Sequence, residues 1–283
     1  MKKEHTKRKH LFVIGVILLL LTGCSSHTTD ITGSDLSIDC LNAGKADAFI
    51  LRTENSTVLI DCGEKGFGSE ILDKLEENDI TKVDVLFISH FDKDHVGGAA
   101  KVINNIDVGQ VYTSYQTKNS EFIDKFYNAL SEHKKEATEV KEDFSFSLDG
   151  VDYEVIVPES DQYEENDSSN NSSLVVRVGT ENIHILFPGD CEEKRLQELI
   201  KDKTITSDIL KVPHHGKMEK SSEAFLNAVR PQYAIITSSD EETESEKLLN
   251  LLEKKHIATY LTRKGGIEIQ IIQGEISVTQ EQQ

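Results

Sequence analysis

The chain has 283 residues, 37% hydrophobic and 29% charged, enough apolar material for one large domain or two small ones with a buried core. That composition excludes a disordered, collagen-like or polytopic membrane protein. Fifty Asp and Glu against 31 Lys and Arg set the net charge at -19, a field that repels polyanions and argues against a non-specific nucleic-acid binder.

Residues 1–10 carry Lys2, Lys3, Lys7, Arg8 and Lys9, and 11–21 is a run of apolar residues and one glycine ending in Thr22-Gly23-Cys24-Ser25. This is the layout of a bacterial export signal. The run is too short for a finished membrane-spanning helix, which needs about 20 residues. Leu21-Thr22-Gly23-Cys24 resembles the lipobox of bacterial lipoproteins. The resemblance implies a signal peptide over 1–23, lipidation of Cys24, and an extracytoplasmic protein anchored by lipid to the cell membrane. A short membrane anchor, or a secretory signal followed by a chance Cys, are the alternatives. The signal carries five bases and one acid, so its removal takes the net charge from -19 to -23. Residues 24–35 are polar and short-chained, a flexible tether, and the fold is expected over 36–283.

From there short β-branched runs alternate with helical patterns. Strands are predicted at 36–41, 48–52 and 57–60, then a helix at 69–77 with Ile71, Leu72 and Leu75 on one face. The nearly continuous apolar run 83–89 predicts a strand buried on both faces. Helices at 99–103 and 122–130 flank a strand at 108–113. The second half repeats the style, with strands at 144–146, 151–157, 174–178 and 183–187, a helix at 193–200, a strand at 209–212, a helix at 222–229, a strand at 233–237 and a helix at 244–254. Strands at 267–272 and 276–279 close the chain. Interleaving without a long linker predicts one α/β domain with helices over sheet faces, and so many strands require two sheets. Residues 158–173, rich in Glu, Asp, Asn and Ser, predict a surface loop too polar to pack. Cys40, Cys62 and Cys191 match no disulfide framework or zinc-finger spacing and read as small buried hydrophobes.

The chemistry concentrates in Ile88-Ser89-His90-Phe91-Asp92-Lys93-Asp94-His95-Val96-Gly97-Gly98. Four ligand-type residues within six positions follow a buried strand, where a strand end can aim several side chains at one point. His90 and Asp92 would serve one ion, Asp94 and His95 another, with Gly97 and Gly98 letting the backbone pass close. A solvated His/Asp turn before a helix is the alternative. His184 reads as a core histidine, and His133 and His256 as exposed ones.

His-x-Asp-x-Asp-His-x-Gly-Gly resembles the signature of the metallo-β-lactamase superfamily, in the variant whose middle His is Asp. That variant is similar to the nuclease-like domain of the ComEC competence proteins and their free-standing relatives. Val58-Leu59-Ile60-Asp61-Cys62-Gly63 resembles the first motif, and Phe187-Pro188-Gly189-Asp190 the motif whose Asp bridges two metals. Asp208-Ile209-Leu210-Lys211-Val212-Pro213-His214-His215-Gly216 resembles the ComEC-type Leu-Lys-x-x-His-His-Gly. Asn170-Asn171-Ser172-Ser173-Leu174 falls where that family carries an Asn-rich, Ser-containing turn.

The resemblance spans about Leu36 to Val278 and implies an α/β four-layer αβ/βα sandwich, two mixed sheets between helices. It implies two divalent metal ions, zinc first, with manganese or iron competitive because Asp92 in place of an imidazole hardens one site. The implied ligands are His90, Asp92, Asp94, His95, Asp190 and His215, supported by Asp61. One of His214 and His215 would be a ligand and the other a contact to substrate or to a carboxylate. The implied reaction is hydrolysis by a hydroxide held between the metals, with Asp94 orienting the nucleophile and His214 or His215 donating to the developing oxyanion. The substrate expected is a small or cell-envelope phosphodiester; the chain has no basic stripe for duplex DNA as a tight partner. Lactone, thioester or β-lactam hydrolysis, or a catalytically degenerate metal-binding lipoprotein, are the alternatives. The absence of Trp, with 6% aromatics, argues against an aromatic solute-binding cleft.

Three segments depart from the family pattern. Asp-Val-Gly-Gln-Gly-Asp is replaced by Leu41-Asn42-Ala43-Gly44-Lys45-Ala46-Asp47, which keeps one Gly and the final Asp. The Ser that usually follows His-His-Gly is Lys217. Many relatives carry Tyr-Gly-His-Pro after the strand at 233–237, where this chain has Asp240-Glu241-Glu242-Thr243-Glu244. A Glu there either substitutes for the His or leaves a poorer site. Ten acids without a base lie between Lys141 and Arg177, and five more in 238–246, which places the repulsion at the mouth of the site.

Overall fold

Strands that are apolar on both faces need cover on both sides, and this chain supplies it by stacking two sheets and coating each with helices. The computed structural model describes residues 35–161, 163, 168–180, 182–201 and 203–282. The signal peptide and Cys24 lie outside the described residues, as does the tether up to residue 34. In chain order the elements are β1 (Leu36–Cys40), β2 (Ala48–Arg52), β3 (Thr57–Cys62), α1 (Gly68–Glu77), β4 (Lys82–Ile88), α2 (Lys93–Val96), α3 (Ala99–Asn105), β5 (Asp107–Thr113), α4 (Glu121–Glu132) and β6 (Thr138–Glu139). There follow β7 (Phe144–Leu148), β8 (Val151–Ile156), α5 (Ser168–Asn171), β9 (Val175–Gly179), β10 (His184–Phe187), α6 (Glu193–Leu199), β11 (Ile209–Lys211), α7 (Ser222–Val229), β12 (Tyr233–Ile236), α8 (Glu246–Lys254), β13 (Ala258–Leu261), β14 (Ile267–Ile272) and β15 (Glu275–Gln280).

One sheet runs β15-β14-β1-β2-β3-β4-β5-β6 and the other β13-β12-β11-β10-β9-β8-β7. Both are mixed: β3, β4, β5 and β6 pair in parallel, as do β10, β11, β12 and β13, and the remaining pairs are antiparallel. Val85 and Phe87 of β4 face the space between the sheets, while Leu86 and Ile88 face α1, α3 and α4, as the unbroken apolar run predicts. Phe49 and Phe187 meet edge to face across the two sheets at 5.1 Å. Outside the second sheet, Leu186, Leu210 and Ile236 pack on α6, α7 and α8. The four-layer αβ/βα sandwich is therefore present. Among the described residues no helix is long and apolar enough to cross a membrane.

Three local differences matter. β3 extends to Cys62 and so carries Asp61 on its last turn of pleat, with Asp61 in the left-handed region at φ 58. β6 and β13 lack a marked apolar alternation and form through pairing at sheet edges. The end of the 158–173 segment is not a surface loop: Asn171, Ser172 and Ser173 are fully buried. Short polar side chains can be buried when backbone groups satisfy them. Asn171 Oδ1 accepts from the amides of Glu192 and Arg195 at the start of α6 at 3.2 and 3.1 Å. Gly98 has φ -87, so handedness does not demand glycine there. Space does, because a Cβ would lie 2.2 Å from the Cys62 carbonyl oxygen and 2.8 Å from the Gly68 nitrogen.

Candidate metal centre

The parallel strands of both sheets end at one place, the usual position for a site in such folds. β3 ends in Asp61, β4 runs into 89–95, β10 into Gly189 and Asp190, β11 into His214 and His215, and β12 into Thr237. Backbone bonds stitch these ends together, among them Leu174 N to Ser89 O at 2.9 Å, Asp47 N to Asp94 O at 3.1 Å and His214 N to Gly189 O at 3.4 Å. His214 and His215 both sit at positive φ, 47 and 53. Non-glycine residues held there cost on the order of 1–3 kcal/mol each, strain that concentrates at functional sites.

Asp94, His95, Asp190 and His215 offer ligand atoms that all lie within 4.8 Å of one another. His95 Nε2 and His215 Nε2 approach the same oxygen, Asp190 Oδ2, at 3.3 and 2.9 Å, and His215 Nε2 lies 3.6 Å from Asp94 Oδ2. His90 stacks beside His95 with ring centroids 4.1 Å apart. All three imidazoles are buried, and each is held by its other nitrogen. His95 Nδ1 donates to Asp61 Oδ2 at 2.8 Å. His215 Nδ1 donates to Thr237 Oγ1 at 2.9 Å, and Thr237 passes its own proton to Asp47 Oδ1 at 2.7 Å. His90 Nδ1 is 3.1 Å from Ser89 Oγ, whose proton goes to Asp61. With Nδ1 as the donor, Nε2 of His95 and of His215 turns toward Asp190 Oδ2, while Nε2 of His90 is buried with no hydrogen-bond partner. A buried polar atom left so costs about 1–3 kcal/mol, and a divalent cation is the partner that imidazole lone pairs and carboxylates share. This donor set fits a metal ion.

The supporting residues divide the work. Asp61 accepts from Ser89 N at 2.7 Å and Ser89 Oγ at 2.6 Å as well as from His95, the geometry of a support. Lys211, fully buried, donates to Gly189 O at 2.9 Å, Asp190 Oδ1 at 3.2 Å and Asp47 Oδ2 at 2.5 Å. Burial disfavours its charge, but Asp47 and Asp190 outweigh that and raise its pKa. Asp190 therefore has Oδ1 committed to Lys211 and Oδ2 turned to the imidazoles. Burial and the charge of His95 push His90 down to about 4, so its ring is neutral. Burial also opposes ionisation of Asp94, yet His215 and His95 hold it well below the usual carboxylate range.

The other two candidates stand apart. Asp92 lies 4.0 Å from His90 Nε2 and is engaged by Lys118 and Ser169. His214 turns away from His215, its Nδ1 3.1 Å from Glu192. Burial favours the neutral acid at Glu192, but His214 and Asn170 hold it down to about 2. With Glu219 these two form a group of ligand-type atoms separate from the cluster. The acidic segment that replaces Tyr-Gly-His-Pro offers nothing to the cluster: Asp240 and Glu244 bind Arg263, at 3.2 and 3.0 Å, and Glu242 binds Lys45. These three acids are paired with bases, so their own share of the repulsion expected at the site's mouth is offset. Cys40, Cys62 and Cys191 are free and buried, and burial pushes the Cys191 thiol up to about 12, which keeps it inert. His184 is half-buried, and His133 and His256 are exposed. Sequence reasoning missed Asp47, Lys211 and Thr237 as members of the site. The available signals were the retained Asp of a motif and a lysine inside an apolar strand.

Burial disfavours a charge on His95 and His215, but Asp190, joined by Asp61 at the first and Asp94 at the second, raises both above the usual 6.5. Folded protein without metal thus holds protons that the unfolded chain releases. That stability is complete below about pH 6.5 and is lost as pH rises through the raised values. In chelator, the melting temperature is expected to fall as pH rises above about 6.5. Saturating zinc should flatten the profile by taking the protons' place. A chelated profile no steeper than the zinc-loaded one would refute this.

Two mixed sheets between helices, with His and Asp converging on the facing strand ends, define a metallohydrolase-type sandwich. The metallo-beta-lactamase superfamily profile matches residues 41–238, and the chain belongs to that superfamily. It is 28% identical over 225 residues to Competence protein ComA of Neisseria gonorrhoeae, covering 78% of this chain and 30% of that protein. It is 26% identical over 255 residues to ComE operon protein 3 of Bacillus subtilis (strain 168), covering 82% and 32%. The chain thus spans about a third of the length of these relatives. The metallo-beta-lactamase fold protein YhfI from Bacillus subtilis superposes with a TM-score of 0.55 at 9% identity, over 80% of this chain and 95% of that one, a likeness of fold alone.

Proposed function

We propose that this protein is a metal-dependent hydrolase of phosphodiester bonds in a small or cell-envelope substrate, held outside the cytoplasm by a lipid on Cys24. The observation that carries the reading is the convergence of the buried Nε2 atoms of His95 and His215 on Asp190, with Asp94 beside them. His95, His215, Asp94 and Asp190 would hold a first ion, zinc or else manganese or iron, and His90 with Asp92 would hold a second once Asp92 turns from Lys118. Bound divalent metal lowers the pKa of water and polarises a phosphoryl oxygen. Asp94, the least buried of the ligand-type residues in the cluster, would orient the attacking water. His214, partly exposed and oriented by Glu192, donates to the oxygen that develops charge. Asp61 and Thr237 keep His95 and His215 in the tautomer that faces the site.

A second reading, metal binding without turnover, draws on the lack of any ligand from 240–244. The test is to purify the protein, measure bound metal, and assay a bis-aryl phosphodiester, a short single-stranded DNA and a chromogenic β-lactam. Metal-dependent cleavage of the phosphodiester, abolished in His95→Ala/Asp190→Ala, is expected. Bound metal without cleavage would favour the second reading, and activity retained by the double variant would sink the site.

A further inference from the structure

The three segments that depart from the family pattern meet in one place. Lys45, from the altered 42–47 segment, and Lys217, in place of the usual Ser, line a cavity of about 240 Å³ together with His214, His215 and Glu242. The cavity opens directly beside the metal centre, since His215 contributes to both. Each lysine is at present held by one carboxylate, Lys45 by Glu242 at 2.9 Å and Lys217 by Glu192 at 3.2 Å.

These two pairs are easily exchanged. The Glu242 side chain is 64% exposed and that of Lys217 58%, and exposed ion pairs contribute little to stability. Glu242 released from Lys45 returns to water. Glu192 released from Lys217 keeps His214 at 3.1 Å and Asn170 at 3.1 Å. Lys45 also feels the carboxylates of Asp94 and Asp190, which together with Glu242 outweigh the effect of its burial; its ammonium therefore lies within electrostatic reach of the centre. A phosphate entering here would replace one carboxylate by a group with more acceptor oxygens, which charge-assisted bonds favour.

We propose that this cavity is a subsite for a second anionic group of the substrate, a phosphate adjacent to the scissile phosphodiester, which Lys45 and Lys217 bind as Glu242 and Glu192 let go. The inference rests on the hydrolase reading and narrows it, from any small phosphodiester to short molecules with two or more phosphates. Two lysines set in a strongly acidic surface suit a short anion and not a long duplex, whose further phosphates would meet like charge.

The test uses the full-length, metal-loaded protein and two chromogenic substrates with one leaving group. One is the 5′-nitrophenyl ester of thymidine 5′-phosphate, and the other is the same ester with an added 3′-phosphate. Wild type is expected to show a KM about ten-fold lower for the second, the effect of one charge-assisted hydrogen bond. Lys45→Ala/Lys217→Ala should bring the ratio of the two KM values close to one, and Glu242→Gln should widen it. Because the ratio is internal to each variant, partial misfolding does not imitate the result. A ratio near one in wild type, or one unchanged in the double variant, overturns the subsite while leaving the hydrolase intact. If neither ester is cleaved, the hydrolase reading fails, and calorimetric binding of inorganic pyrophosphate decides the subsite alone. About ten-fold weaker binding by the double variant supports the subsite, and equal binding overturns it.

Discussion

Asp190→Asn is expected to lower kcat/KM on a phosphodiester by at least about 10³-fold, with the fold retained. Asp190 Oδ2 is the oxygen that two imidazoles approach, at 2.9 and 3.3 Å, and Oδ1 faces the Lys211 ammonium at 3.2 Å. Asparagine preserves the shape but removes the charge from the point where all these groups meet. Burial favours a neutral acid at Asp190, yet His215, His95 and Lys211 hold its pKa far below the ordinary range, so the native group is fully ionised at any working pH. Losing it removes both a proposed metal ligand and one of the two anions that offset Lys211. A loss of several kcal/mol in stabilising the transition state corresponds to three or more powers of ten. The measurement pairs steady-state kinetics with metal content. Near wild-type kcat/KM at full metal loading would remove Asp190 from the centre.

Lys211→Met is expected to be the most destabilising single change near the site. The ammonium is buried with Asp47 and Asp190 at 2.5 and 3.2 Å, and both carboxylates are themselves buried. Methionine fills the volume of the stem but leaves two anions without their cation. Breaking a buried pair in this way costs about 3–5 kcal/mol, because the remaining charge stays desolvated. For a domain of this size, that lowers the melting temperature by roughly 6–20 °C. Thermal melts of metal-free protein isolate the effect from metal loading. A Lys211→Met/Asp47→Asn double variant should recover part of the loss, since one of the stranded anions is gone. A fall of only a degree or two in Lys211→Met would show that water reaches the pair.

Most of the strands and helices were legible because each leaves a periodic trace: Val85 against Leu86 alternates between two hydrophobic layers, and α1 keeps Ile71 and Leu75 on its buried face. The polar segment before Leu174 was misread because Ser and Asn carry no such trace. Their burial depends on amides at the start of α6, which lie far along the chain. At the site, His90, Asp92, Asp94 and His95 could be named from residue type and position after a strand, and Asp190 and His215 from the family resemblance. Which of them converge could not. Asp92 follows Lys118 and Ser169, and His214 follows Glu192, because each side chain takes the nearest complementary charge, and nearness across more than 20 residues is a property of the packed sheets. The same holds for charge: a count of acids in 238–246 cannot show that Arg263 and Lys45 answer three of them.

By itself, then, the sequence determined the order of elements, the two-sheet sandwich and the strand ends that carry ligand-type residues, since these follow from apolar periodicity and local spacing. Only the tertiary structure decided which nitrogen of each imidazole faces inward, that Asp47, Lys211 and Thr237 stand behind the cluster, and that two lysines open beside it. Those outcomes depend on hydrogen bonds and ion pairs between residues as far apart as Asp47 and Thr237, whose meeting is set by how the two sheets stack.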